Sequence, residues 1–270
     1  MADEPEWIPA GIDTKQANVA RVYDYWLGGS HNFLPDQDLG RSMAAVDPNV
    51  KAIARANRAF LGRAVRFLTA SGIRQFLDIG SGIPTQGNVH EVAQRADPAC
   101  RVAYAEADPV AVAHSRAMLA GNPGAVIVDA DLREPDKILA NDEVRRLIDL
   151  GQPVGLLLVA ILHCIRDGDD PWAIVARLGD ALPRGSYLVL SHATNESWPD
   201  VVRAAEKVYH RSARAEGRTR SRAEILRFFD GFDLVEPGLT HVPQWRPDSP
   251  DDVPDDPSRF WFLAGVARKP

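Results

Sequence analysis

The chain has 270 residues, 45% of them hydrophobic and 25% charged, with 31 Lys plus Arg against 37 Asp plus Glu. That size and balance describe a soluble globular protein of one large domain, or one domain with an appendage, able to bury its core without disulfides or a structural metal. The formal charge of −6 argues against a surface built to track nucleic acid, and the longest apolar run, Val154 to Ile165, is interrupted by His163 and too short to cross a bilayer.

The first ten residues carry Asp3, Glu4 and Glu6 where a secretory leader needs basic residues, so a cytoplasmic protein is expected. Cys100 and Cys164 lie far apart, in or beside strand-like runs, and read as free thiols in a reducing compartment. Residues 1–74 contain no strand pattern. Val19 to Leu27, Leu39 to Val46 and Val50 to Leu68 read as helices, the last with Ile53, Ala56, Phe60, Ala64, Val65 and Leu68 at helical spacing. They form a helical cap on whatever follows.

From residue 75 onward, aliphatic runs alternate with helical patterns, the mark of a parallel α/β sheet. Runs at 75–79, 101–106, 125–129, 154–160 and 186–191 are continuously apolar, as strands covered on both faces should be. Helices are expected at 86–97, 109–120, 135–149 and 171–181, two of them with proline just inside an aspartate cap, Asp108-Pro109 and Asp170-Pro171. Two further helices at 198–216 and 221–230 precede late strands at 232–236 and 259–267, which must pair antiparallel for lack of a crossover helix. The intervening 243–257 segment, rich in proline and aspartate, is expected to be loosely ordered.

The first strand runs into Asp78-Ile-Gly80-Ser-Gly82-Ile-Pro84, and the turn at that place in an open α/β sheet is where nucleotide-like ligands bind. Glycines there let a ligand approach the backbone. The third glycine of a dinucleotide fingerprint is missing, and Pro84 removes an N–H from the loop, which argues against a nicotinamide-dependent oxidoreductase. Glu106 closes the second strand, where a carboxylate accepts ribose hydroxyls, and Asp131 follows the third, where one can take an adenine amino group. Three acids at successive strand ends suit a cationic adenosyl ligand, although each could instead cap the following helix.

This order of Asp78-x-Gly80-x-Gly82, Glu106 and Asp131-Leu132, with two late strands, resembles the class I S-adenosylmethionine-dependent methyltransferases. Three segments are more specific: Ala20 to Phe33 (ARVYDYWLGGSHNF), Ala54 to Phe60 (ARANRAF) and Leu188 to Thr194 (LVLSHAT) resemble the actinobacterial S-adenosyl methyltransferase family. The resemblance implies a doubly wound, Rossmann-like sheet of seven strands in the order 3-2-1-4-5-7-6, the last inserted antiparallel, in a domain spanning 75–270. It implies S-adenosylmethionine over strands one to three, its ammonium at Asp78, the backbone approach at Gly80 and Gly82, and its ribose at Glu106 or Asp108. The adenine would meet Asp131 and the Leu132 amide.

Methyl transfer asks mainly for positioning and exclusion of water. His163 and His192 stand near the ends of strands four and five and are candidates for base or acceptor contact, or else strand-end histidines satisfied by carbonyls. Tyr23, Tyr25 and Trp26, followed by Gly28-Gly29 and by His31, Asn32 and Phe33, could hold a sulfonium by aromatic faces, or could dock the first helix on the core. Asn57 and Arg58 support that segment or form a solvated face. A basic stretch (Arg203, Lys207, Arg211, Arg214, Arg218, Arg220, Arg222 and Arg227, among Glu206, Glu216, Glu224 and Asp230) reads as a solvated face or a site for an anionic acceptor. It lacks the interleaved aromatics that stack nucleic-acid bases. A small-molecule methyl acceptor and no metal are expected. The competing reading is a non-catalytic sensor of S-adenosylmethionine or S-adenosylhomocysteine, which needs neither histidine.

Overall fold

The computed structural model describes residues 13–84, 87–212 and 217–270. Asp3, Glu4, Glu6, Arg214 and Glu216 lie outside the described residues. Five parallel strands, β1 (Gln75–Ile79), β2 (Arg101–Glu106), β3 (Ala125–Asp129), β4 (Gly155–Val159) and β5 (Tyr187–Ala193), form the body of the sheet. The late strands are β6 (Asp233–Leu234), β7 (Thr240–His241) and β8 (Phe262–Arg268), and the order is β3-β2-β1-β4-β5-β8-β6. That is the expected topology with one addition, the two-residue β7, which pairs with β8. β8 runs antiparallel to β5 in a register that sets Phe262 opposite Ala193.

Alternate strand residues enter different cores because successive side chains point to opposite faces. Phe76, Val102 and Tyr104 pack with α3 (Val50–Ala70), α4 (Val89–Ala96) and α5 (Pro109–Leu119). Leu77, Ala103 and Ala105 pack with α6 (Pro135–Ala140), α7 (Asp142–Leu147), α8 (Pro171–Asp180) and α10 (Arg222–Leu226). Within the leader, α3 thus belongs to the sheet's own core. Helices α1 (Val19–Leu27) and α2 (Leu34–Val46) instead build a small core with α9 (Pro199–Ser212), through Val22, Leu39, Met43 and Ala205.

Three elements differ from expectation, each for a local reason. α2 begins at Leu34 rather than Leu39, because Pro35 enters the first turn and the Asp36 carboxylate accepts from the Phe33 and Asn18 N–H groups, both at 2.8 Å. The 135–149 helix is two, since Asn141 takes extended backbone and its Oδ1 accepts from the Glu143 and Val144 N–H groups to start α7. The acidic 243–257 loop is anchored, not loose. Trp245 is fully buried against Phe60 and Phe67, and buried Arg63 donates to the Val242 and Trp245 carbonyls at 2.7 and 2.9 Å. Arg66 forms two hydrogen bonds to Asp248.

Candidate active site

The carboxyl ends of β1, β4 and β5 open into a cavity of about 1310 Å³, mouth included, whose far walls are α1, α3, α9 and the start of β8. Asp78, Gly80, Gly82, Glu106, Tyr23 and His163 all line it. Asp78 is buried in β1, and no described residue forms a hydrogen bond to its carboxylate. Burial pushes its pKa up to about 7, against the opposing pull of Arg58 and with a further push from Glu106.

The two loop glycines serve different ends. Both have left-handed backbone, φ 73° at Gly80 and 67° at Gly82. A Cβ at position 80 would stand 2.5 Å from Ile161 Cγ1, so Gly80 is needed for the packing of the loop after β4. A Cβ at position 82 would meet nothing within 4 Å, so that face is open to a ligand. The Gly82 N–H donates to Glu106 Oε2 at 2.7 Å, while the Ala107 and Asp108 N–H groups donate to Oε1 at 2.9 Å. Burial raises the Glu106 pKa despite these bonds. Asp108 caps α5 by accepting from the Ala111 N–H and does not line the cavity. Asp131 and Leu132 do not line it either. Asp131 is held by Arg133, whose hydrogen bonds keep its carboxyl below the usual range, and Leu132 is buried under the sheet.

The leader contributes Tyr23 and Trp26, but not Tyr25 or Asn32. Residues three apart share a helix face and residues two apart do not, so Tyr25 is turned toward Gly40 of α2, with Lys51 Nζ 5.1 Å from its ring centre. The Asn32 amide donates to Asp24 Oδ2 and the Gly29 carbonyl and its Oδ1 accepts from Gln37, which secures the turn after α1. Among the described residues, neither Tyr25 nor Asn32 lines the cavity, contrary to the expectation that both contact the ligand.

Asn57 is buried, which removes it from any solvated face, and it joins three elements. The Ala160 N–H donates to Ser191 Oγ (3.0 Å), Ser191 donates to Asn57 Oδ1 (2.6 Å), Asn57 Nδ2 donates to the Tyr23 hydroxyl (3.0 Å), and Tyr23 donates to the Ala54 carbonyl (3.0 Å). Every donor in this chain has an acceptor. Burial raises the Tyr23 pKa, so the phenol remains protonated and its proton is committed to Ala54.

The histidines separate. His163, on the short 3₁₀ turn Leu162–Cys164, presents its ring to the cavity beside Phe262, with ring centres 5.2 Å apart. Its Nδ1 is buried without a partner among the described residues, which leaves Nε2 as the nitrogen able to meet a ligand. Burial, helped by the charge of Arg220, drives its pKa down to about 4, so the ring is neutral near neutral pH. His192 is fully buried and does not reach the cavity. Its Nδ1 donates to the Ala193 carbonyl at 2.7 Å and its Nε2 accepts from Arg220 at 2.7 Å, so no nitrogen remains for an acceptor. Its expected facing of the crevice is corrected accordingly.

Five arginines of the basic stretch are engaged with separate partners. Arg220 is fully buried and donates to the Leu162 and Ile165 carbonyls and to Asp167, clamping the His163 turn from behind. Arg218 pairs with Asp167 and Glu224, and its N–H donates to the His163 carbonyl at 2.7 Å. Arg203 pairs with Asp200, Arg222 donates to the Leu239 carbonyl, and Arg227 lies over Trp172. Sequence reasoning missed the α9 wall. Val202, Ala205, Glu206 and Tyr209 line the cavity, and their spacing of three, four and seven was the available signal. Cys164 also lines the cavity, beside Tyr209, and burial pushes its thiol up to about 12. Both cysteines are free. No metal-holding group of three or more His, Cys, Asp or Glu side chains occurs among the described residues, and no helix among them is long and apolar enough to cross a membrane.

A parallel sheet reversed by an inserted antiparallel strand, with a glycine loop and acids opening into a cavity at its carboxyl edge, defines a class I S-adenosylmethionine-dependent methyltransferase. The chain belongs to the S-adenosyl methyltransferase family, whose model matches residues 5–270. It is similar to a DUF574-family protein of Streptomyces avermitilis, at 41% identity over 96% of this chain and 99% of that one, with a TM-score of 0.91. It is also similar to a putative methyltransferase of Thermobifida fusca, at 39% identity over 98% and 99%, with a TM-score of 0.92. The plantazolicin methyltransferase BamL shares the fold at 12% identity over 93% and 95%, with a TM-score of 0.55. No curated protein sequence matches the chain.

Proposed function

We propose that this methyltransferase holds S-adenosylmethionine on Asp78, Gly82 and Glu106 and presents it to a small-molecule acceptor beside His163. One observation carries the reading: a buried carboxylate without a hydrogen-bond partner among the described residues and a neutral imidazole face the same cavity. The site fits the ligand on two counts. Asp78 carries a desolvation penalty that a bound ammonium would relieve, and Gly82 leaves open the space where a ligand must approach the backbone.

When bound, the sulfonium supplies an electrophilic methyl group. Asp78 fixes the ammonium end, and Glu106 offers its remaining lone pairs to the ribose while holding the glycine loop through Gly82. His163 Nε2 would stand beside the acceptor and could take the proton that the acceptor gives up on methylation. Tyr23 positions α1 over the cavity through the Asn57 and Ser191 chain, and does not act as a base, since its hydroxyl proton is committed to Ala54. Residues 1–74 act as cover and 75–270 as the cofactor-binding unit, with α3 shared between them. Two free thiols support action in the reducing cytoplasm.

The test is calorimetry with S-adenosylhomocysteine, followed by transfer of a labelled methyl group to a small-molecule extract. Wild type should bind and transfer, Asp78→Asn should lose binding, and His163→Ala should bind normally but transfer poorly. Normal binding by Asp78→Asn would overturn the assignment.

A further inference from the structure

We infer that the methyl acceptor is an uncharged, planar aromatic compound whose nucleophile is a phenol-type hydroxyl or a ring N–H. This rests on the proposal that Asp78 and His163 face one active cavity. Beyond the glycine loop, the cavity is walled by aliphatic side chains of α1, α3 and α9, including Val22, Ile53, Leu61 and Val202. Among them stand five aromatic residues, Tyr23, Trp26, Tyr209, Trp261 and Phe262. Such walls reward a flat apolar body that can meet ring faces and edges.

Charge argues against an anionic acceptor. Among the described lining residues the carboxylates are Asp78, Glu106 and Glu206, and the cations are Arg58 and Arg218. Arg58 donates to Asn88 Oδ1 at 2.8 Å and lies close enough to Asp78 to pull on its titration, and Arg218 is paired with Asp167 and Glu224. Glu206 accepts from the Thr219 N–H and hydroxyl. An anionic acceptor would thus enter a chamber richer in carboxylates than in guanidiniums, whose guanidiniums are already engaged.

Among the described lining residues, His163 offers the acceptor its Nε2. In the tautomer that carries the ring hydrogen on Nδ1, Nε2 accepts from an incoming O–H or N–H. Sealed among apolar groups, this imidazole is a weak base and cannot draw a proton from an aliphatic alcohol. It can take one from a phenol or an aromatic N–H as the bond to the methyl carbon forms and the carbon–sulfur pair stays on sulfur.

The probe pair is naphthol and hydroxynaphthoate, which share the flat hydroxylated body and differ by one carboxylate. Both are titrated by saturation-transfer NMR into the full chain loaded with S-adenosylhomocysteine. Naphthol should bind about tenfold tighter or better, the carboxylate bearing the cost of entering an apolar chamber without a cation. Ala205→Phe, which fills the chamber from α9, should abolish naphthol binding and leave S-adenosylhomocysteine binding intact. Ala20→Lys, which sets a cation on the half-buried start of α1, should reverse the preference toward hydroxynaphthoate. Equal or tighter binding of hydroxynaphthoate to wild type would overturn the inference. So would unchanged naphthol binding in Ala205→Phe, and if that variant loses the cofactor product as well, the Ala20→Lys preference decides. Failure of wild type to bind S-adenosylhomocysteine would instead overturn the proposed function beneath it.

Discussion

Asp78 in β1 and His163 just after β4 face one cavity from neighbouring strands, and burial moves their titrations in opposite directions, the carboxyl up to about 7 and the imidazole down to about 4. Both groups are held toward their neutral forms until a ligand arrives. Under the proposed function, a cation would restore charge to Asp78 and a neutral partner would meet His163.

A pH dependence follows for Asp78. Between an unfolded value of 3.8 and about 7, the folded chain keeps this proton and the unfolded chain does not, so the Asp78 contribution to stability falls as pH rises through that window. Asp78→Asn should flatten the decline, with a gain over wild type of about 3 kcal/mol at neutral pH. Urea unfolding of the two proteins at a series of pH values checks it, and the S-adenosylmethionine affinity of wild type should rise with pH through the same window.

For His163 the order reverses. The unfolded ring takes its proton near 6.5 and the folded ring only near 4, so its contribution falls as pH drops from 6.5 to 4. His163→Gln should be less sensitive to acid than wild type by about 2 kcal/mol at the bottom of that window. The same unfolding series reads it.

The two glycines should fail differently. Gly80→Ala drives a methyl into Ile161 and should lower the thermal midpoint strongly. Gly82→Ala meets open space and bears only the left-handed backbone penalty of about 1 kcal/mol, so it should fold while losing about tenfold or more in S-adenosylhomocysteine affinity. Thermal denaturation with parallel calorimetry separates the two effects.

Breaking the buried chain at its middle should be costly. Asn57→Ala strands the Ser191 donor and removes the donor to Tyr23, for a loss of about 2–3 kcal/mol. Ser191→Ala added to Asn57→Ala should cost less than the sum of the two single changes, because they belong to one network. A double-mutant cycle in urea measures the difference.

Sheet order and part of the cavity floor, Asp78, Gly80, Gly82 and Glu106, were legible because they depend on local patterns. Continuous apolar runs marked strands buried on both faces, and acids and glycines at their ends marked the floor of the cavity. What could not be read depended on partners distant in sequence. Asn57 looks like a polar residue on a long helix until Ser191, 134 positions later, is brought to it. His192 and His163 have similar surroundings in sequence, and only Arg220 reaching His192 Nε2 distinguishes the occupied ring from the available one. The acidic loop near residue 250 has the composition of a loose segment, yet Arg63, some 180 positions earlier, fastens its backbone. Tyr25 and Asn32 lie in the most specific motif of the chain, yet the helix turns Tyr25 away from the cavity that Tyr23 and Trp26 line, and Asn32 is tied into the turn after α1 by Asp24 and Gly29.

The central claim is that Asp78 and His163 flank a single reaction centre, and a crystal structure of the full chain with S-adenosylhomocysteine tests it most directly. The ligand's ammonium should lie within hydrogen-bond reach of Asp78, directly or through one water, with the ribose at Glu106 and the sulfur facing the chamber that holds His163. A ligand seated elsewhere, or one whose sulfur points away from His163 with Asp78 still unpartnered, would contradict it.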